Sequence, residues 1–576
     1  MGKLRITASA ALLAALAIAI AVATTGAGAS STHQRATARA ATSPSVPVAP
    51  IIPARLACAD LIQNGGPPRP GVPDFADLPG APTRISSATV VAATAQAPEY
   101  CDVKGYVAPQ VQFELKLPTK TYQGRYLQEG CGGFCGSITP TSFPACDAQL
   151  GGDFALSTTN DGHVGASGFD AVWASNDRQL RIDMYFRAVH VTAVASKAIV
   201  GAFYGQAPRY SYFQGCSEGG REGLMEAQRY PEDFDGIIAG APAAYWSPLN
   251  AEYQPWNARS NTAPDGSSII TPDKLPALHQ AVIAACDGKD GLVDGQLEDP
   301  RDCSFDPASI QCPATSDAPS CLTAAQVQAA RRIYDGPRDA RGRRLYVGGE
   351  PLGSELQWAP WLSTPAGTPA ATSIAAQAGD NFLRFLAFPV GQPGKTLQDW
   401  QFTDEEFNRL RAEEGAANAL DPDLRAFRRH GGKLIVYHGW ADQAISPFGT
   451  PAYYQAVEDT MGGSAAVQRF ARLFMIPTMY HCGGGYGPSQ FDTVGPIVDW
   501  VESGKAPEAL VTTQTNASGK VVRTRPVFPY PKRARYTGSG SIDDAANFVA
   551  ADPATPPDDH VKWLGSDLLR PGGWRR

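Results

Sequence analysis

The segment Tyr210-Ser211-Tyr212-Phe213-Gln214-Gly215-Cys216-Ser217-Glu218-Gly219-Gly220-Arg221 decides how the chain is read. Tyr210 to Gln214 has the pattern of a short buried strand, and Arg221 to Tyr230 that of a helix. Between them stands Gly215-Cys216-Ser217-Glu218-Gly219, the only G-x-S-x-G in the sequence. Flanking glycines let a strand turn sharply into a helix, which lifts the Ser217 hydroxyl above the sheet. The next backbone N–H then lies at a helix N-terminus, where it stabilises an oxyanion. An ordinary serine in a glycine-rich turn would need neither the strand before it nor the helix behind it.

Outward from this turn, β-rich and helical segments alternate between about Cys58 and Leu249, the signature of a sheet with crossover helices. Val111 to Leu117, Arg125 to Gln128, Asp153 to Ser157 and Phe234 to Ala239 read as strands, and Met184 to Phe203 as a long helix. From about Ser247 to Asp423 the pattern becomes loops rich in Pro, Gly, Ala and Asp, broken by short helices such as Thr323 to Tyr334. Alternation resumes at Lys433 to Tyr437 and Arg472 to Ile476. The class is therefore α/β, with a catalytic domain over 51–246 and 424–548 and an inserted second domain over 247–423. Residues 549–576, rich in Pro and Asp, read as a flexible tail.

The 576 residues are 43% hydrophobic and 18% charged, a globular composition long enough for one large domain and a substantial second. The net charge of −7 contains no run of like charge, which argues against nucleic acid as a partner and against a polybasic membrane anchor. Lys3 and Arg5 precede an apolar stretch from Ile6 to Ala23 and then Ala27-Gly28-Ala29, the order of a secretory signal peptide over 1–29. Residues 30–50, mostly Ala, Thr, Ser and Pro, read as a disordered leader. The expectation is a secreted, extracellular protein without stable membrane insertion after cleavage. The alternative is an uncleaved anchor, because the apolar run is nearly long enough to span a bilayer. No later stretch reads as apolar for long enough to cross one. Eleven cysteines in an exported chain are expected to be largely paired, with one left over.

A serine hydroxyl is a weak nucleophile near neutral pH, so a base must take its proton and a carboxylate must orient that base. A strand–serine–helix turn of this kind sets the chain order serine, acid, histidine. Of the eight histidines, His481 and His560 follow a plausible acid, and His560 lies in the tail. His481 stands in the flexible loop Met479-Tyr480-His481-Cys482-Gly483-Gly484, whereas His438 comes too early and reads as a structural residue at a strand end. Asp442, directly after Lys433 to Tyr437, is the acid by position. Gly130-Cys131-Gly132-Gly133 supplies a second oxyanion donor, the N–H of Gly132 or its neighbour Gly133, to act with that of Glu218. If Cys216 and Cys482 border one site, a disulfide would clamp the serine loop to the histidine loop; two buried thiols or a reactive cysteine are the alternatives. Asp287, Asp290 and Asp294, interleaved with glycines between Cys286 and Cys303, form an acidic loop suited equally to Ca²⁺ and to solvent.

This constellation resembles the tannase and feruloyl esterase family, which also includes mono(2-hydroxyethyl) terephthalate hydrolase. The family's Cys-Ser, Asp and His-Cys pattern, with the two cysteines joined, stands here as Cys216-Ser217, Asp442 and His481-Cys482. The likeness extends from about Cys58 through Gly130 to Gly136 and Thr159-Asn160-Asp161-Gly162-His163 to Tyr536-Thr537-Gly538 and Asp543 to Phe548. It implies an α/β-hydrolase core with a large lid over 247–423, no organic cofactor, and hydrolysis of aromatic esters through an acyl-enzyme. The substrates it implies are small feruloyl or galloyl esters, or esters of plant cell wall and tannin. It also implies structural Ca²⁺ in the lid, held by Asp287, Asp290, Asp294 and the carbonyls of Leu292 and Gln296, and disulfides Cys58–Cys101 and Cys286–Cys303. Proximity alone adds Cys312–Cys321.

The sequence departs from the family at Cys131 and Cys135, where Asn and a small residue are usual. With Cys146 these make three unassigned cysteines, and a disulfide among them would stiffen the glycine loop. Trp358, Trp361, Phe382, Phe385 and Phe388 of the lid are candidates to stack on a planar acyl group, and Arg384 to meet a carboxylate or hydroxyl. Ile445 stands where the terephthalate enzyme carries an aromatic, which favours feruloyl or galloyl esters. A terephthalate-type hydrolase and a non-catalytic phenolic-binding protein on the same scaffold are the alternatives.

Overall fold

Nine strands form the central sheet: β1 (Thr83–Val91), β2 (Tyr100–Val107), β3 (Val111–Pro118), β4 (Arg125–Glu129), β5 (Phe154–Thr159), β6 (Tyr210–Cys216), β7 (Gly236–Gly240), β8 (Lys433–Gly439) and β9 (Ala471–Ile476). The computed structural model describes residues 49–63, 72–95, 97–138 and 152–572, so the expected signal peptide, most of the leader and Cys146 lie outside the described residues. The strand order is β1-β2-β3-β5-β4-β6-β7-β8-β9. The pairs from β5–β4 through β8–β9 are parallel, and β1–β2, β2–β3 and β3–β5 are antiparallel. Parallel strands need crossover helices and so are covered on both faces, and β4, β5 and β7 are buried at every position. β3 to β9 fall where the sequence pattern places them. β1 and β2 escaped it because β1 is an antiparallel edge with mostly exposed or half-exposed side chains, which leaves little apolar signal.

Helix α1 (Arg178–Tyr204) is long and apolar enough by composition to cross a membrane, contrary to the sequence expectation that no later stretch is. It is a core helix instead. Val191, Ala195, Ile199 and Phe203 are buried, and the helix packs on β3 and β5. A π-helical turn at Asp183–Arg187 interrupts it, and there the carbonyls of Met184 and Tyr185 accept hydrogen bonds from Arg221 of α2 (Glu218–Arg229). That contact fixes the helix that follows Ser217.

Residues 247–423 leave the sheet after β7 and return before β8, adding helices such as α3 (Ile374–Phe385) and no strand to the central sheet. By backbone contacts the described residues form a single compact unit. The tail expected to be flexible is packed. Phe548–Ala551 pairs antiparallel with Arg533–Tyr536, and Trp563 and Leu568 are buried. A few apolar side chains, with the ion pairs of Asp559 and Asp567, anchor a segment whose average composition reads as disordered.

Candidate active site

The end of β6 carries Ser217 into a tight turn. Its φ of 66° and ψ of −118° place a non-glycine residue in the left-handed half of the map, a conformation that costs energy and persists only where the surroundings impose it. Here Ser217 N–H donates to Gly240 O (3.0 Å), and Ser217 O accepts from the N–H of Ala243 (3.0 Å) and Arg221 (3.1 Å). The glycines are required by backbone approach. A Cβ on Gly215 would lie 2.5 Å from the Gly219 carbonyl carbon, and one on Gly220 would lie 2.1 Å from Gly240 O. Arg221, fully buried, bonds Glu218 (Nε–Oε1 2.6 Å) and stacks over Trp246 at 5.4 Å, so the first turn of α2 is held from the side.

Asp442 follows β8 on a short loop and is fully buried. Its Oδ1 accepts the N–H groups of Ala444 (2.8 Å) and Ile445 (2.9 Å), and its Oδ2 lies 2.8 Å from His481 Nδ1. A carboxylate only accepts, so His481 Nδ1 carries the proton and the lone pair of the neutral ring is on Nε2. Burial raises the Asp442 carboxyl, but His481 and then His438 outweigh it and hold the group well below the ordinary carboxylate range. His438, assigned from sequence to a structural position, is fully buried at the end of β8 and also contacts Asp442 Oδ2, at 3.0 Å. His560 is exposed and pairs with Asp459 and Asp558.

Cys216 and Cys482 form a disulfide across a sequence separation of 266, with Cα atoms 5.8 Å apart, and it ties the serine turn to the histidine loop. Cys58–Cys101, Cys286–Cys303 and Cys312–Cys321 are also joined. The open question at the glycine loop resolves as Cys131–Cys135, which encloses Gly132 and Gly133. Gly219 N–H donates to Cys131 O (2.9 Å) and Gly130 N–H to Gln214 O (2.9 Å), so this loop lies directly against the serine turn. Among the described residues the N–H groups of Gly132 and Glu218 have no acceptor in the protein. Beneath the loop, Cys131, Cys135, Asp161 and Glu222 crowd together, with their ligand-type atoms within 4.8 Å of one another. Joined sulfurs donate no hydrogen, and burial followed by the Glu222 charge pushes Asp161 well up, so Asp161 keeps its proton to higher pH.

Ser217, Glu218 and His481 line one cavity together with Gly133, Phe134, Phe169, Trp246, Trp361 and Ile445. Of the residues proposed from sequence for the acyl group, Trp361 of the lid and Ile445 of the loop after Asp442 therefore reach the cavity. Trp358 does not: it is buried against Tyr334 with its indole N–H on Ser354. Arg384 and Phe385 line a separate cavity, where Arg384 pairs with Asp380 at 2.5 Å. Residues one turn apart on a helix share a face, and only Ala378 of α3 lines the serine cavity. Phe169 and Trp246 lie outside the lid and were not singled out from sequence, because only the fold brings them to Ser217.

In the acidic loop, Asp287 accepts the N–H groups of Asp294 (3.1 Å), Gly295 (3.0 Å) and Gln296 (3.2 Å), and Asp290 accepts that of Leu292 (2.9 Å). Asp294 Oδ2 is bonded by Gln296 (2.8 Å) and Arg525 (2.5 Å), and its buried Oδ1 has no partner among the described residues. Burial, and then the neighbouring Asp294 and Asp287, push Asp290 up to about 6. Clustered carboxylates with a spare buried oxygen are a donor set that fits a hard divalent cation.

A mostly parallel sheet flanked by helices, with a serine at the β6–α2 turn, defines an α/β-hydrolase fold. The profile of the family described as tannase and feruloyl esterase matches residues 92–551. A mono(2-hydroxyethyl) terephthalate hydrolase from Piscinibacter sakaiensis is 34% identical, over 81% of this chain and 87% of that protein. A probable feruloyl esterase from Arthroderma benhamiae is 34% identical, over 76% and 81%. The crystal structure of feruloyl esterase B from Aspergillus oryzae superposes with a TM-score of 0.71 at 29% identity, covering 81% of this chain and 97% of that one. The chain belongs to the tannase and feruloyl esterase family and is a carboxylic ester hydrolase.

Proposed function

We propose that this protein is secreted and cleaves esters of hydroxycinnamic acids such as ferulic acid, or of gallic acid, through Ser217, His481 and Asp442. The observation that carries the reading is the His481–Asp442 hydrogen bond at 2.8 Å beside a cavity that Ser217 and His481 both line. Ser217 Oγ attacks the ester carbonyl while His481 Nε2 takes its proton and passes it to the leaving alcohol. Water then releases the acid from the acyl-enzyme by the same relay in reverse. In this reading the N–H groups of Gly132 and Glu218 stabilise the developing oxyanion, each supplying about 3 kcal/mol. Phe169, Trp246 and Trp361 give the cavity an aromatic wall for a planar acyl group. Among the described lining residues no side chain but His481 is basic, so a neutral phenolic acyl group is favoured over one with a second carboxylate, such as mono(2-hydroxyethyl) terephthalate.

Secretion is supported by the N-terminal charge, apolar and small-residue order and by five disulfides. Ca²⁺ would be held by Asp287, Asp290 and Asp294 with the Leu292 and Gln296 carbonyls, and would neutralise the lid's carboxylate cluster.

Hydrolysis of methyl ferulate, methyl gallate and mono(2-hydroxyethyl) terephthalate, measured in parallel with S217A as control and EDTA as a side arm, tests the whole reading. Ferulate or gallate is expected to be preferred, S217A to lose at least about 10³-fold in kcat, and EDTA to lower the melting temperature. An S217A variant that kept more than about one part in ten of wild-type activity would sink the assignment.

A further inference from the structure

Asp442 Oδ2 serves two imidazoles. His481 Nδ1 is 2.8 Å away and His438 Nε2 3.0 Å. With the two backbone N–H groups on Oδ1, the carboxylate has four donors, which fills its lone-pair positions. The tautomer of His438 follows from its surroundings. Nε2 faces only acceptors, Asp442 Oδ2 and Ile445 O (3.2 Å), so it carries a proton. Nδ1 faces the Thr450 hydroxyl at 2.7 Å, which can donate to it. The ring is fully buried and borders no part of the serine cavity, so it touches neither substrate nor Ser217.

We infer that His438 is a positioning residue for this hydrolase. Its Nε2–H fixes the orientation of Asp442 and shares the Asp442 charge with His481, so that the aspartate holds the His481 ring in place without overstabilising its protonated form. The inference rests on the reading of Ser217, His481 and Asp442 given above. The other titratable groups near Asp442 are Tyr253, Tyr346 and Glu350 of the lid segment; burial pushes all three up and none of them bonds Asp442, so among the described residues the two histidines are its side-chain donors. Thr450, at the start of the helix Gly449–Met461, meets the other ring nitrogen, so the imidazole that orients the aspartate is itself held at both nitrogens.

The experiment compares H438L, H438Q and T450V with wild type, using kcat per active site counted by fluorophosphonate titration, KM, and the pH profile of kcat/KM. H438L is expected to lose about 30- to 100-fold in kcat at nearly constant KM, because the lost contact matters when His481 takes the proton. Its acidic limb should move to higher pH by roughly half a unit, since His481 then has the whole Asp442 charge. H438Q, which keeps an N–H near the Nε2 position, should recover to within about fivefold of wild type, and T450V should lose about threefold. A role in folding alone would lower the titrated fraction of active sites and leave the turnover of each unchanged, which overturns the inference. So would an unmoved acidic limb in H438L, or H438Q no better than H438L at equal active-site count. An S217A protein with substantial activity would instead overturn the underlying triad, so the two failures are distinguishable.

Discussion

At the scale of single residues, His163 carries an acid sensitivity that the proposed chemistry does not use. Its Nε2 is 2.8 Å from Phe134 O in the glycine loop, and its ring stacks on Trp173 at 3.7 Å. Burial lowers this imidazole from its usual 6.5 to about 4, despite the carbonyls that favour its protonated form. The native state therefore binds fewer protons than the unfolded chain between those values. The stability contribution is complete above pH 6.5 and is lost as pH falls toward 4. From pH 7 to pH 5 this single group should cost about 2 kcal/mol, and urea unfolding of wild type against H163Q at the two pH values measures it. Equal losses in both proteins would mean that His163 does not remain neutral. The candidate triad was legible because chain order is a local property of sequence and Ser217, Asp442 and His481 each punctuate a strand end. The second contact of His438 was not, since it depends on the loop after β8 curling back by four residues. Arg384 misled because a sequence shows that a residue is cationic but not which face of α3 it occupies.

At the scale of elements, two disulfides border the same site and should behave differently when removed. Cys216–Cys482 spans a separation of 266 residues and Cys131–Cys135 one of 4. Loop-closure entropy assigns about 5 to 6 kcal/mol to the first and about 2 kcal/mol to the second. A C216A/C482A protein is expected to lose both melting temperature and kcat, since the serine turn and histidine loop are held by different strands. A C131A/C135A protein should keep most of its thermal stability while kcat falls about 5- to 50-fold, because only the pose of the Gly132 N–H is loosened. Calorimetry and single-substrate kinetics on the two pairs settle the contrast, and equal stability losses would contradict it. The parallel strands announced themselves as short apolar runs because both faces are covered. The glycine loop's neighbours, Asp161 after β5 and Glu222 on α2, come from elements 30 and 91 residues away from Cys131, a distance no periodicity reports.

For the molecule as a whole, the tail is where reading by composition and reading by contact disagree most. The stretch after Phe548 is polar on average, yet Trp563 is 7% exposed and sits edge-on against Tyr245 (5.6 Å) and Phe407 (5.8 Å). Tyr245 precedes Trp246, which lines the serine cavity, and Phe407 lies in the lid segment. One indole thus joins the C-terminal segment, the lid and the wall of the site. Arg411 pairs with Asp567, and Arg301 with Asp559, along the same seam. Trp563 Nε1 has no hydrogen-bond partner among the described residues, so the side chain is held by packing and not by its polar atom. Two substitutions separate those contributions. W563A removes the packing and should cost about 3 to 5 kcal/mol. W563F keeps an aromatic ring in the same place and should cost less than about 1.5 kcal/mol. Thermal unfolding of the three proteins decides the matter: a melting temperature for W563A indistinguishable from wild type would return the tail to the flexible state its composition suggests. A large and equal loss in both variants would mean that the indole N–H has a partner after all. If packing is the answer, kcat/KM in W563A should fall only a few-fold at temperatures well below unfolding, because Tyr245 and Trp246 keep their other neighbours, Tyr346, Phe134 and Phe382.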